Sequence, residues 1–74
     1  MRDICEIAKE IETTWKKVNY AARPYLDAMK DVKTMADYYF SDKASSLVVY
    51  FLSNASTWHG DDARRIKAEL KGML

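Results

Sequence analysis

The chain has 74 residues, with 12 basic and 11 acidic side chains and a formal net charge of +1. That balance speaks against a general nucleic-acid or membrane-surface binder, which is visibly basic. Its single cysteine, Cys5, excludes an internal disulfide and leaves no Cys/His cluster with zinc spacing.

A chain this short is one domain, residues 1–74, and buries only about 60–65% of its unfolded surface. Two Gly and one Pro argue against long irregular loops. The opening stretch MRDICEIAKEIE carries acids where a signal peptide needs an apolar core, so a cytoplasmic protein is expected. Asp3-Ile-Cys-Glu6 has the form of a capping box. Ile4, Ala8, Ile11, Trp15, Val18 and Ala22 then recur at alternating spacings of four and three, which predicts a helix over residues 3–22. Glu12 and Lys16 stand i, i+4 on it in the favourable order.

Pro24 marks the boundary to a second helix, because proline suits a first helical turn and the residue before it avoids helical geometry. The apolar positions of this helix are Leu26, Met29, Val32 or the stem of Lys33, Ala36, and Tyr39 with Phe40, a weaker pattern than in the first helix. An irregular stretch is expected over residues 31–41, with 35–40 as a separate turn or short helix.

The segment Ala44–Gly60, ASSLVVYFLSNASTWHG, is 17 residues without an acid, a lysine or an arginine. Ala44, Val48, Phe51 and Ala55 fall on one line of a helical wheel, with Leu47 and Leu52 beside it. This predicts a helix over about residues 42–55, capped by Ser41 or Asp42 and enclosed by the other helices. Val-Val-Tyr-Phe also favours β structure. The helical spacing continues to Ala55, however, and no second strand is offered to pair with it. The apolar run Leu47–Leu52 is six residues, against about 20 for a membrane span. Trp58 is expected to fold over the end of the core and Gly60 to make a tight turn. Asp61 and Asp62 open a last helix, with Ala63, Ile66, Leu70 and Met73 or Leu74 facing inward. Arg64, Arg65, Lys67, Glu69 and Lys71 are expected on its outer face. The fold class is therefore all-α, a small three- or four-helix bundle with short connections.

Tyr50–Leu70, YFLSNASTWHGDDARRIKAEL, and Val18–Leu26, VNYAARPYL, resemble small uncharacterised helical proteins of Firmicutes prophages and integrative elements. The resemblance covers a little under half of the chain. It implies a mobile-element origin in a Gram-positive bacterium and no particular activity. That group carries a Tyr-Gly-Asp-Ser-like turn before its central helix, from which Tyr39-Phe-Ser-Asp-Lys43 departs.

No residue pattern points to catalysis, a metal or a cofactor. His59 stands beside Trp58 and just before Asp61 and Asp62, but one turn supplying every ligand is unusual, and acids at a helix start act as caps. Cys5 lies beside the seam with no histidine near it in sequence and reads as a small buried hydrophobe. The serines at 41, 45, 46, 53 and 56 have no G-x-S-x-G context. Asn54 is expected to hydrogen-bond a neighbouring helix end.

Two binding readings remain. Arg64, Arg65, Lys67 and Lys71 cluster on the last helix after Gly60, the arrangement of a DNA-binding helix-turn-helix over residues 44–74. Against it, Asp61 and Asp62 would enter the major groove first. Five tyrosines, Tyr38 and Tyr39 among them, exceed what so small a core buries easily, and exposed tyrosine is typical of protein interfaces. The sequence is thus read as a non-enzymatic interaction protein. It would bind an unknown protein partner or a second copy of itself, with nucleic acid as the alternative and no membrane or cofactor.

Overall fold

A computed structural model describes residues 2–74. Among these, the elements run α1 (Ile4–Thr14), α2 (Arg23–Met29), β1 (Tyr38–Tyr39), β2 (Asp42–Lys43), α3 (Ala44–Ser53) and α4 (Asp61–Met73). The chain is mostly helical, but the all-α expectation needs correcting. Tyr38 pairs with Lys43 and Tyr39 with Asp42 in a short antiparallel hairpin.

The capping box forms as expected, the Asp3 amide donating to Glu6 Oε1 at 3.2 Å. The helix it opens ends at Thr14, well short of Ala22. The hydroxyls of Thr13 and Thr14 donate to Glu10 O at 2.8 and 3.0 Å, offering that last turn an alternative to further helical bonds. Asn19 then organises the connection. Its Oδ1 accepts from the Ala22 amide at 2.8 Å, and its Nδ2 donates to Asn54 O at 2.9 Å, tying this loop to the end of α3. Trp15 and Ala22 are buried all the same. With Lys16 outside the helix, the Glu12–Lys16 pair is replaced by pairs from Glu12 to Arg23 and, at 2.7 Å, to Lys30.

Helix α2 starts around Pro24 as predicted and is seven residues long. The irregular stretch that follows is tightly tied. The Asp37 carboxylate accepts from the amides of Lys33 and Thr34 at 2.8 and 3.0 Å and from the Thr34 hydroxyl at 3.1 Å. These bonds hold the Asp37 carboxyl below its ordinary value, the Thr34 and Lys33 amides being the largest causes. Lys33 O accepts from the Ile4 amide at 2.8 Å, Asp37 O from Ala44 at 2.7 Å and Met35 O from Ser45 at 3.1 Å. One loop therefore satisfies first-turn amides of both α1 and α3. Backbone carbonyls do the work expected of a Ser41 or Asp42 side chain, and Lys43 takes the N-cap position.

Ala44, Leu47, Val48 and Phe51 of α3 face the core, and Ala55 joins them beyond the helix end. The expectation of a fully enclosed helix is corrected: α3 packs chiefly on α2, and its opposite face, with Ser46, Val49, Tyr50 and Ser53, is exposed. Gly60, at φ 107°, turns the chain into α4, a conformation that L side chains avoid. Ala63, Ile66 and Leu70 then pack inward, while Leu74 stays exposed. Trp58 folds back as expected. Its ring stacks on Trp15 at 5.3 Å and 6°, and Phe51 meets both edge-on. No helix among the described residues is long and apolar enough to cross a membrane.

Candidate interaction surfaces

The basic residues of α4 do not share one environment: Arg64, Arg65 and Lys71 are exposed, and Lys67 is half-buried. Arg64 pairs with Asp61, one turn away. Arg65 reaches Glu10 of α1 at 2.7 Å and Asp62 at 3.2 Å. Lys67 turns inward, its Nζ donating to Ala55 O and Trp58 O at 2.7 Å each and lying 5.8 Å from the Trp58 ring centroid. Burial, helped by the nearby charge of Lys71, pushes the Lys67 amine below its ordinary value. Of the four, Lys71 alone has no side-chain ion pair or hydrogen bond among the described residues. Helix α4 lies against α1, and the connection Asn54–Gly60 is longer than the tight turn of a helix-turn-helix.

The charges around α1 are committed in the same way. Arg2 bridges Glu10 at 2.8 Å and Glu69 at 2.6 Å, joining α1 to α4. Arg65, then Arg2, hold the Glu10 carboxyl below its ordinary value, and Arg2 does the same for Glu69. Lys30, then Arg23, lower Glu12. Charges that a sequence reader assigns to solvent or to a ligand are fastening one helix to the next.

The tyrosines do not gather into one patch. Tyr20 stands alone on the α1–α2 loop, 91% exposed. Tyr38 is exposed on β1, whereas Tyr39 is half-buried against the core and edge-on to Phe40, centroids 4.8 Å apart. Tyr25 and Tyr50 do meet, at 5.5 Å, across α2 and α3. Beside them lies the open face of α3, where Val49 is 46% and Tyr50 52% exposed. With Ser45 and Ser46 they line a shallow depression of about 200 Å³. Neither Val49 nor the α3 face stands out as a site in the sequence, because an uncharged, largely apolar helix reads as enclosed. The available signal was their position off the line of Ala44, Val48, Phe51 and Ala55, with no charge between Ala44 and Gly60.

His59 is exposed and Cys5 half-buried. No group of three or more His, Cys, Asp or Glu among the described residues is placed to hold a metal ion. Asn54, expected to reach a neighbouring helix, instead donates from Nδ2 to Tyr50 O of its own helix at 2.9 Å, while its carbonyl takes the Asn19 bond. The chain matches no family model, no curated protein and no solved structure.

Proposed function

We propose that this is a small helical interaction protein, a compact bundle without enzymatic activity, acting in the cytoplasm by docking on another protein. One observation carries the reading. The outward face of α3 is uncharged and presents Val49 and Tyr50 in a chain where charged residues make up 31% of the sequence. Aromatic and apolar groups on an uncharged background are what interface centres are made of. The resemblance of Tyr50–Leu70 and Val18–Leu26 to prophage and integrative-element proteins supports a mobile-element origin.

The test is a pull-down of tagged protein from a Gram-positive lysate, with and without nuclease, comparing wild type with Val49→Asp/Tyr50→Asp. A protein retained after nuclease and lost from the variant is the expected result. Recovery of nucleic acid that depends on Arg64, Arg65 and Lys71 would transfer the function to α4. Equal retention by wild type and variant would remove the α3 face from the reading.

A further inference from the structure

Three depressions on the described surface neighbour one another, each sharing lining residues with the next. The first, about 270 Å³, lies between the N-terminal end of α1, the loop at Lys33–Met35 and the end of α4. The second, about 330 Å³, shares Met35 and Met73 with it and extends to Lys43 and Ser45. The third is the α3 depression, which shares Ser45 with the second and ends at Val49 and Tyr50. Taken as one track, they run from Arg2, Asp3 and Lys33 past Met35 and Met73 to Val49 and Tyr50. Thioether side chains are flexible and polarizable, so they accept apolar groups of varied shape.

The wall of this track is fixed before anything binds. Lys33 O and Met35 O are held by first-turn amides of α1 and α3, and Asp37 ties the Lys33–Thr34 turn from within. A partner therefore meets a pre-ordered surface, which lowers the ordering cost of association. The charges along the rim are unequally engaged. Arg2 is held by Glu10 and Glu69, and Asp3 faces the amino end of α1 as its N-cap. Lys33 and Lys43, both exposed, make no ion pair among the described residues.

We infer that this track binds an extended peptide segment of a protein partner, one that sets an apolar side chain over Met35 and Met73 and carboxylates beside Lys33 and Lys43. The inference rests on the interaction-protein reading and adds the chemistry of the partner. Asp31 and Asp42 are also exposed and make no ion pair among the described residues, so a second copy of the chain is the other occupant the charges admit; concentration-dependent self-association of the full chain that is lost in Lys33→Glu/Lys43→Glu would overturn the peptide inference. Complementary charge gives such a segment its register and a salt-sensitive on-rate.

The experiment is selection of a displayed random-peptide library on the immobilised full chain. Fluorescence anisotropy of the selected peptides is then measured against wild type, Lys33→Glu/Lys43→Glu and Tyr50→Asp. The expected outcome is a consensus of Asp or Glu beside Leu, Phe, Met or Trp, with affinity falling about tenfold or more in the lysine double variant and weakening with salt. Thermal unfolding of the lysine variant, which changes exposed side chains only, should match wild type. Peptides sensitive to Tyr50→Asp but indifferent to the lysine reversal would overturn the acidic-segment inference and leave the α3 reading standing. No enrichment, or binding indifferent to both variants, would overturn both.

Discussion

Helix α1 and helix α3 stand at opposite ends of one design problem. Both bury an apolar stripe, but α1 carries acids paired with Arg2 before it, with Arg23 and Lys30 at the two ends of α2 and with Arg65 of α4, while α3 carries no charge on either face. The flanks of α1 are therefore closed by ion pairs, and the flank of α3 is open. The difference teaches that formal charge in a sequence is a poor guide to charge on offer. Around α1 much of the formal charge is already engaged, whereas the exposed flank of α3 carries none.

The sharpest way to break this comparison is to change neighbours on α3. Phe51 is fully buried against Trp15 and Trp58, and Tyr50 next to it is half-exposed. Phe51→Ala should cost about 3–5 kcal/mol, a large share of the roughly 4–11 kcal/mol a chain of this size can have. Tyr50→Ala should cost about 1 kcal/mol, chiefly through loss of the Tyr25 ring. Urea denaturation of the two variants reads the difference directly. Similar midpoints would mean that α3 has no inner and outer face in the sense described.

The next effect is cumulative and belongs to α1. Glu10, Glu12 and Glu69 all have carboxyls lowered by their cationic partners. A carboxyl lowered on folding contributes stability that is fully present above its unfolded value, about 4.3 for glutamate. That stability is lost as the pH falls through the lower folded value. The chain should therefore lose stability below about pH 4.5, and Glu10→Gln/Glu12→Gln should show a shallower loss than wild type. Circular dichroism melts across that range decide it, and parallel profiles would show that these pairs do not hold α1. High salt should shrink the gap between the two proteins, because the pairs are partly solvated.

Lys67 marks where the charged and uncharged halves meet. It is the α4 cation that reaches into the connection after α3, donating to the carbonyls of Ala55 and Trp58. Lys67→Met keeps an apolar stem over Trp58 but leaves Trp58 O without its donor and Ala55 O with the Trp58 amide alone. A loss of about 1–2 kcal/mol follows, within the range for unsatisfied buried acceptors. Lys71→Met, lacking such partners, should be silent by the same denaturation assay. Equal effects would place Lys67 among ordinary surface lysines.

What was legible in the sequence was mostly direction rather than path. The seam of α1 correctly put Trp15 and Ala22 inside, yet the backbone leaves the helix at Thr14 to deliver them. Periodicity reports which side chains avoid water. It does not see the Thr13 and Thr14 hydroxyls or the bridge from Asn19 to Asn54 that redirect the chain. The start of α4 was readable because its signals are local: Gly60 frees the backbone and two acids suit the helix dipole. The N-terminus of α3 was not, because its caps are carbonyls of Met35 and Asp37, identical in every residue type and invisible in a string of letters. The site was obscured for a related reason. Arg65 and Lys67 look like a basic face until the structure shows what each is holding.

The smallest effect expected separates exposed apolar area from backbone strain. Phe40 sits at the first central position of the β1–β2 turn with φ 57° and its ring 87% exposed. Among the described residues, Gly60 is the only other one with positive φ. A two-residue hairpin turn with positive φ at its first central position is ordinarily the place of glycine. A left-handed conformation costs an L residue about 1–2 kcal/mol, partly offset in any comparison by glycine's larger unfolded-state entropy of about 0.5–1 kcal/mol. Phe40→Gly should therefore be more stable than Phe40→Ala by about 1 kcal/mol or less, or up to roughly 4–8 °C in Tm for a domain of this size. Both variants remove the contact with Tyr39, so the difference between them isolates the backbone. If the alanine variant proved the more stable, the turn would not hold residue 40 at positive φ. If glycine exceeded wild type as well, Phe40 would be costing the fold stability, and its ring would have to be kept for contact with something outside the chain.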